Sequence, residues 1–365
     1  MSPAGNLLIV LATCLVISIS LNLLLRYPAD RLGLVDSPGG RKRHNGRVPL
    51  VGGIAIYVSY VAGVYFLGIP GERSVPLLVG MTLLFVCGVL DDLLDLRNLI
   101  KLAVQIVAAL LMMFWGGQVV QDLGNIAGLG NGLGIWGYPF TLLVVVGLIN
   151  AINMMDGLDG LAGGVVLTSL FWLGVLAAAG SMGSATLFVL IMAVAVLGFL
   201  IFNARHPWRS RASVFLGDAG SMVLGFALAW FAAKISQNVA MVISPVSLAW
   251  ILALPVVDTV SLMVRRIGKG RSPLAPDREH LHHVFRRAGF SSGATTLLLI
   301  TLNLILGAVG VFGAMLGVPD TLLFIGFLLL FPCHYYFVRH AWKSARMLRN
   351  LQQPTVSERA YSDDA

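Results

Sequence analysis

The chain is written as long apolar runs broken by short polar ones. Eleven runs approach the ~20 residues a helix needs to cross a bilayer. They fall at about 6–25, 50–67, 75–90, 99–115, 134–150, 161–180, 185–202, 214–233, 241–263, 294–315 and 320–338. This pattern predicts an all-α polytopic membrane protein. A single integral-membrane domain is expected over 1–349, and the remaining 350–365 read as a polar, disordered cytoplasmic tail.

Charge orients the bundle. Placing the N-terminus on the periplasmic side puts nearly all Lys and Arg inside, in the breaks Arg26–Arg47, Arg97–Lys101, Arg205–Arg211 and Arg265–Arg287 and in the segment from Arg339 onward. Only Arg73 and Lys234 fall outside. So strong a positive-inside bias implies a periplasmic N-terminus, a cytoplasmic C-terminus and an odd number of spans. The net charge of +8 is therefore largely topological and does not point to nucleic acid. Attraction to anionic lipid or to a phosphorylated substrate is its second use.

Composition adds exclusions. With 57% hydrophobic and 12% charged residues, against roughly 25% charged in soluble domains, the chain is not a soluble domain. Cys14, Cys87 and Cys333 all lie in apolar runs and form no CxxC pair, which argues against a disulfide framework or a thiolate metal site. The first run has neither a basic leader nor a small-x-small cleavage site, so it reads as a retained helix and not a signal peptide.

The candidate chemistry lies at the inside borders. Asn150-Ala-Ile-Asn153-Met-Met-Asp156-Gly-Leu-Asp159-Gly-Leu161 sets amides, carboxylates and glycines where one span ends and the next begins. Acids are expensive in hydrocarbon, so such a border is either a functional site or a merely hydrated loop. The run 75–90 ends in Asp91-Asp92-Leu-Leu-Asp95; if the helix continues, its three acids crowd one face at the end where the helix dipole disfavours them. That electrostatic cost suggests a bound cation. Val214-Phe215-Leu-Gly217-Asp218-Ala-Gly220-Ser221 opens a later helix, where Asp218 is either a plain N-cap or a metal ligand with free amides nearby for phosphate. Asp258, about two turns inside its span, contacts a substrate or pairs with a neighbouring helix.

Two basic loops complete the inventory. The segment Asp36-Ser-Pro-Gly-Gly-Arg41-Lys42-Arg43-His44 reads as a topogenic cluster or as a surface for phosphate. The loop 265–293 carries Arg265, His280, His282 and His283, without an HExxH motif or a Cys partner, so its histidines read as phosphate contacts and not as a zinc site. Hard carboxylates suit Mg²⁺, with Mn²⁺ as its substitute. Mg²⁺ beside basic residues is what phosphoryl transfer requires. At a bilayer surface, one substrate would be a lipid phosphate and the other a soluble diphosphate. A secondary transporter stays open as the other class, although its acids belong near the midplane, where only Asp258 lies well inside a span, and the internal repeats usual in transporters are not found.

At these residues the chain resembles the polyprenyl-phosphate N-acetylhexosamine-1-phosphate transferases. The matching stretches are Asp91-Asp92-Leu-Leu-Asp95, Asn150 to Gly160, Phe215-Leu-Gly-Asp218-Ala-Gly-Ser221 and His280-Leu-His282-His283, in the family's order. Val35-Asp-Ser-Pro, Arg41-Lys-Arg-His44 and Ser272-Pro-Leu-Ala-Pro-Asp-Arg-Glu-His280 look like the WecA-type branch and unlike the muramyl-pentapeptide branch. The resemblance implies transfer of GlcNAc-1-phosphate from UDP-GlcNAc to undecaprenyl phosphate at a bacterial inner membrane, beginning O-antigen or related glycan synthesis. Another UDP-HexNAc donor remains open, as does a homodimer.

Carried over to this chain, the resemblance implies that Asp218, assisted by Asn153, holds Mg²⁺ on the diphosphate. Asp91 or Asp92 would deprotonate or orient the lipid phosphate, and Asp156 and Asp159 would shape the nucleotide pocket. Phe215 would stack on uracil, while Arg265, His280, His282 and His283 would contact phosphate or the leaving UMP. Asn150, Lys42 and His44 join the substrate-binding set, and His280 counts with the catalytic acids.

Overall fold

The computed structural model of the protein describes residues 3–36, 46–66, 74–126, 132–238, 243–270, 272, 280–340, 343 and 346. Lys42, His44 and the polar tail lie outside the described residues. The fold is mostly helical: α1 (Pro3–Leu24), α2 (Arg26–Leu32), α3 (Gly52–Phe66), α4 (Val75–Leu94), α5 (Asn98–Leu110), α6 (Gly137–Met155), α7 (Leu161–Ala179), α8 (Gly183–Asn203), α9 (Gly217–Ser236), α10 (Pro245–Ile251), α11 (Ala253–Gly268), α12 (Leu281–Arg287), α13 (Ser292–Met315) and α14 (Asp320–Arg339). Two short strands, β1 (Val35–Asp36) and β2 (Val48–Pro49), pair antiparallel.

Among the described residues, 9 helices are long and apolar enough to cross a membrane. A further candidate is α10 with α11, bent by 78° at Leu252, where the apolar run 241–263 reads as one continuous span. The run 50–67 becomes α3, a shorter apolar helix of 15 residues. The break between α10 and α11 is supported from α7 and α13: Ser169 donates its hydroxyl to the Ile251 carbonyl at 3.0 Å, and Asn303 Nδ2 donates to Ser169 Oγ at 3.2 Å. A freed carbonyl inside hydrocarbon needs such a donor. The described residues of the loop before α6 are tied to the end of α9 by Gln237, whose Oε1 accepts the amides of Gln121 and Asp122 at 2.9 Å each.

The most enclosed helix is α9, packed between α4, α6 and α3. Its sequence explains this: Gly217, Ala219, Gly220, Ser221 and Gly225 put small residues on several sides of its first turns. Within lipid, helix association relies on close backbone approach at small residues, because hydrocarbon supplies no hydrophobic drive. Gly88 of α4 lies against the backbone of Ala219, Gly53 of α3 against Gly220, and Gly225 against Ile149 of α6. The first turn of α9 is thereby pinned beside the ends of α4 and α6.

Candidate active site

Helix α4 stops at Leu94. Asp95 takes a left-handed conformation (φ 51°) and is exposed, so it does not share a face with Asp91 and Asp92 as a continued helix would require. The two remaining acids are stabilised in different ways. Asp91 is buried; its Oδ1 accepts the Leu96 amide at 2.8 Å and its Oδ2 accepts Lys101 Nζ at 2.7 Å. Asp92 reaches across to α9, accepting the amides of Asp218 at 2.9 Å and Ala219 at 3.3 Å. Gly217 makes this fit: its φ is +71°, and a side chain there would run into the Asp92 carboxylate. The amides of Asp218 and Ala219, the second and third residues of α9, are thus occupied by the protein's own carboxylate, so these two are not the free amides for phosphate expected beside Asp218.

Asp218 stands at the centre. Its Oδ1 accepts Asn153 Nδ2 at 2.6 Å, and its Oδ2 faces Lys101 Nζ at 3.3 Å. Asn153 also donates to Ser221 Oγ at 2.9 Å. One ammonium therefore bridges Asp91 and Asp218, which offsets part of the repulsion between two close carboxylates. Among the described residues no three His, Cys, Asp or Glu side chains form a metal cage by themselves. The oxygen donors nonetheless fit a hard cation: they already hold a positive group, and Mg²⁺ usually takes one or two carboxylates and completes its shell with water and phosphate.

The loop between α6 and α7 adds two acids with different surroundings. Burial, followed by the charges of Asp218, Asp92, Asp159 and Asp36, pushes the Asp156 carboxyl up to about 7. Asp159 is engaged: Arg205 Nε donates to it at 2.8 Å and the Ala212 amide at 3.1 Å. Asn203 accepts the Gly160 amide at 2.8 Å and donates to the Val214 carbonyl at 2.9 Å, joining this loop to the segment that leads into Asp218. Phe215 is partly exposed, and its backbone pairs with the strand end: its amide donates to Pro49 and its carbonyl accepts the Gly52 amide.

The histidines arrive on α12. His282 is buried and lies against Gly157, the residue after Asp156. Burial and the neighbouring imidazoles of His283 and His280, opposed by Asp258, hold its ring down to about 3, so it is neutral at pH 7. His280 Nδ1 is 2.7 Å from Asp258 Oδ2, so Asp258 pairs with neighbouring elements. His283 and Arg265 are partly buried at the same end of the bundle. Asn150 lies deeper, donating to Gln105 Oε1 at 2.7 Å and to the Val146 carbonyl. It links α6 to α5.

Sequence reasoning passes over Lys101, Arg205, Ser221 and His334. Lys101 is countable only as one more inside cation, but asking which cation balances Asp91 would find it. A lone histidine such as His334 inside an apolar run gives no periodic signal.

Residues 74–236 match the model described as glycosyl transferase family 4. The chain is 37% identical over 332 residues, 90% of each protein, to undecaprenyl-phosphate alpha-N-acetylglucosaminyl 1-phosphate transferase of Escherichia coli O157:H7. It is 36% identical to the Yersinia pestis protein of that name over 90% of each, and 33% identical to the Haemophilus influenzae one, over 91% of this chain and 94% of the relative. The fold and site define a polytopic membrane transferase. The chain belongs to glycosyl transferase family 4, as a multi-pass bacterial membrane protein.

Proposed function

We propose that the protein transfers GlcNAc-1-phosphate from UDP-GlcNAc to undecaprenyl phosphate, releasing UMP and giving GlcNAc-diphospho-undecaprenol. The observation that carries this reading is the convergence of Asp91, Asp92, Asn153, Asp156 and Asp218 with Lys101 at one end of the bundle. The relatives bear names for that transfer over nearly their whole length. The positive-inside bias of the sequence supports a cytoplasmic site, on the side where UDP-sugars are made, and the product would begin a surface glycan such as O-antigen.

In the reaction, an oxygen of the lipid phosphate attacks the sugar-bearing phosphorus. A new phosphoanhydride bond forms, the bond to the uridine phosphate breaks, and UMP leaves with the bridging oxygen. Asp218 and the Oδ1 of Asn153 would hold Mg²⁺, which when bound neutralises diphosphate charge. Asp91 with Lys101 orients the acceptor; a phosphate monoester, with its second pKa near 6, is already largely ionised near neutral pH, so position matters more than proton removal. Asp92 keeps Asp218 in place through the start of α9. Asp156 faces the nucleotide side with Phe215 available to stack on uracil, and Asp159 with Arg205 fixes the loop. Arg265, His280, His282 and His283 surround the leaving phosphate.

The test is incubation of purified protein with undecaprenyl phosphate, labelled UDP-GlcNAc and Mg²⁺, with and without EDTA. Labelled lipid and UMP that vanish with EDTA support the reading. Transfer only from a different UDP-HexNAc corrects the donor, and no transfer from any nucleotide sugar overturns the reaction.

A further inference from the structure

Asp258 is a buried carboxylate within α11, yet three donors from two other elements meet it. Its Oδ2 lies 2.7 Å from His280 Nδ1. Its Oδ1 accepts the Leu281 amide at 3.0 Å and lies 2.8 Å from His334 Nε2. His280 immediately precedes the seven-residue helix α12, and His334 belongs to α14. All three side chains are buried. A carboxylate is retained in such a place only when its oxygens are satisfied.

The bond has a chemical consequence. An imidazole nitrogen facing a carboxylate carries its hydrogen there, so Asp258 fixes the His280 tautomer with Nδ1–H and leaves Nε2 as the ring nitrogen for other chemistry. A carboxylate behind a histidine orients the ring in the same way in hydrolytic triads. Two residues on, His282 packs on Gly157, so the turn held by Asp258 also sets the loop that carries Asp156. Beyond this pairing, α12 is anchored by Leu281 and Val284, which pack with Met155, Leu161, Leu254 and Val338.

We propose that Asp258 and His334 are positioning residues for the transfer reaction, fixing the ring of His280 and seating α12 against the loop of Asp156. This rests on the transferase reading above. The last apolar helix, α14, is then part of the support of the active site.

The experiment uses the full-length protein in detergent, reading UMP release against UDP-GlcNAc concentration and thermal unfolding for each variant. His334→Phe keeps a ring but loses the donor, and Asp258→Asn loses a carboxylate oxygen. Each is expected to lower kcat about 10- to 100-fold, the scale of a displaced reacting group, with KM little changed. His334→Gln, whose amide nitrogen can take the place of Nε2, recovers most of the rate, whereas His334→Asn does not reach. The double variant His280→Ala with His334→Phe is expected to be no slower than His280→Ala alone, because residues acting through one group are not additive. Additive losses, or failure of His334→Gln to recover rate although it unfolds at the wild-type temperature, overturn the inference while leaving the reaction standing. A wild-type protein that transfers nothing overturns the reaction and the inference together.

Discussion

Lys101 Nζ stands 2.7 Å from Asp91 Oδ2, with the second acid of the pair, Asp218, 3.3 Å away on its other side. The site therefore contains a cation of its own before any metal enters. Replacing it by Met leaves two carboxylates facing each other and orients neither. Lys101→Met is expected to lower kcat at least about tenfold, the scale of a lost positioning contact in the transition state. It should also lower the Mg²⁺ concentration for half-maximal rate, because the competing ammonium is gone. Titration of UMP release with Mg²⁺ reads both, and an unchanged curve removes Lys101 from the mechanism.

Asp218 and Asn153 separate by the same assay. Asp218→Asn keeps shape and leaves the Asp92 bonds to the α9 amides intact, so the fold survives and turnover is expected to fall by about 100-fold or more, as for removal of a principal electrostatic group. Asn153→Ala removes a donor to Asp218 and is expected to cost less, about tenfold. Intact turnover in Asp218→Asn would exclude it as the metal ligand.

The raised pKa of Asp156 predicts the sign of a pH effect on stability. In the unfolded chain this carboxyl ionises near the usual carboxylate value, and in the folded protein only near 7. Between those values the folded state binds more protons, so its stability falls as pH rises and the loss is complete above about 7. Asp156→Asn removes the ionisation. It should unfold at a higher temperature than wild type at pH 8 and at nearly the same temperature at pH 4. An equal offset at both pH values would show that Asp156 does not titrate in this way.

The packing of α9 gives a prediction independent of chemistry. A methyl group at Gly88 would overlap the backbone of Ala219, and one at Gly53 would overlap that of Gly220. Backbone held inside two helices cannot step aside, so Gly88→Ala and Gly53→Ala are each expected to destabilise by about 1–3 kcal/mol or more. Gly147→Ala, on α6 with nothing within 4 Å, should be neutral or slightly stabilising and serves as the control. Denaturation of the purified variants distinguishes the two groups.

How far the sequence can be read follows from these residues. Asp91, Asp92, Asp156 and Asp218 stand out because an ionised group in a long apolar chain is costly and rare. Their mutual arrangement does not, because nothing in local spacing says that Asp92 meets the amide of a residue 126 positions away. Asp95 is misread when α4 is extended past Leu94, since three acids on one helix face presuppose a helix that has already ended. The apolar run 241–263 carries enough hydropathy for a span but no record of the bend at Leu252, which depends on Ser169 and Asn303 from other helices. The partner of Asp258 is hidden for the same reason: His334 is isolated in its own segment and acquires meaning only through packing.

The capping of α9 by Asp92 bears on turnover as well as on architecture. A vacant helix terminus would attract the donor diphosphate and the departing nucleotide alike, binding ground state and product without favouring the step between them. With the amides of Asp218 and Ala219 already taken by Asp92, neither is open to a phosphate of the donor or of UMP. Retention of UMP is then left to the end of the site that carries Arg265 and the histidines, so Arg265→Ala should weaken product inhibition by UMP.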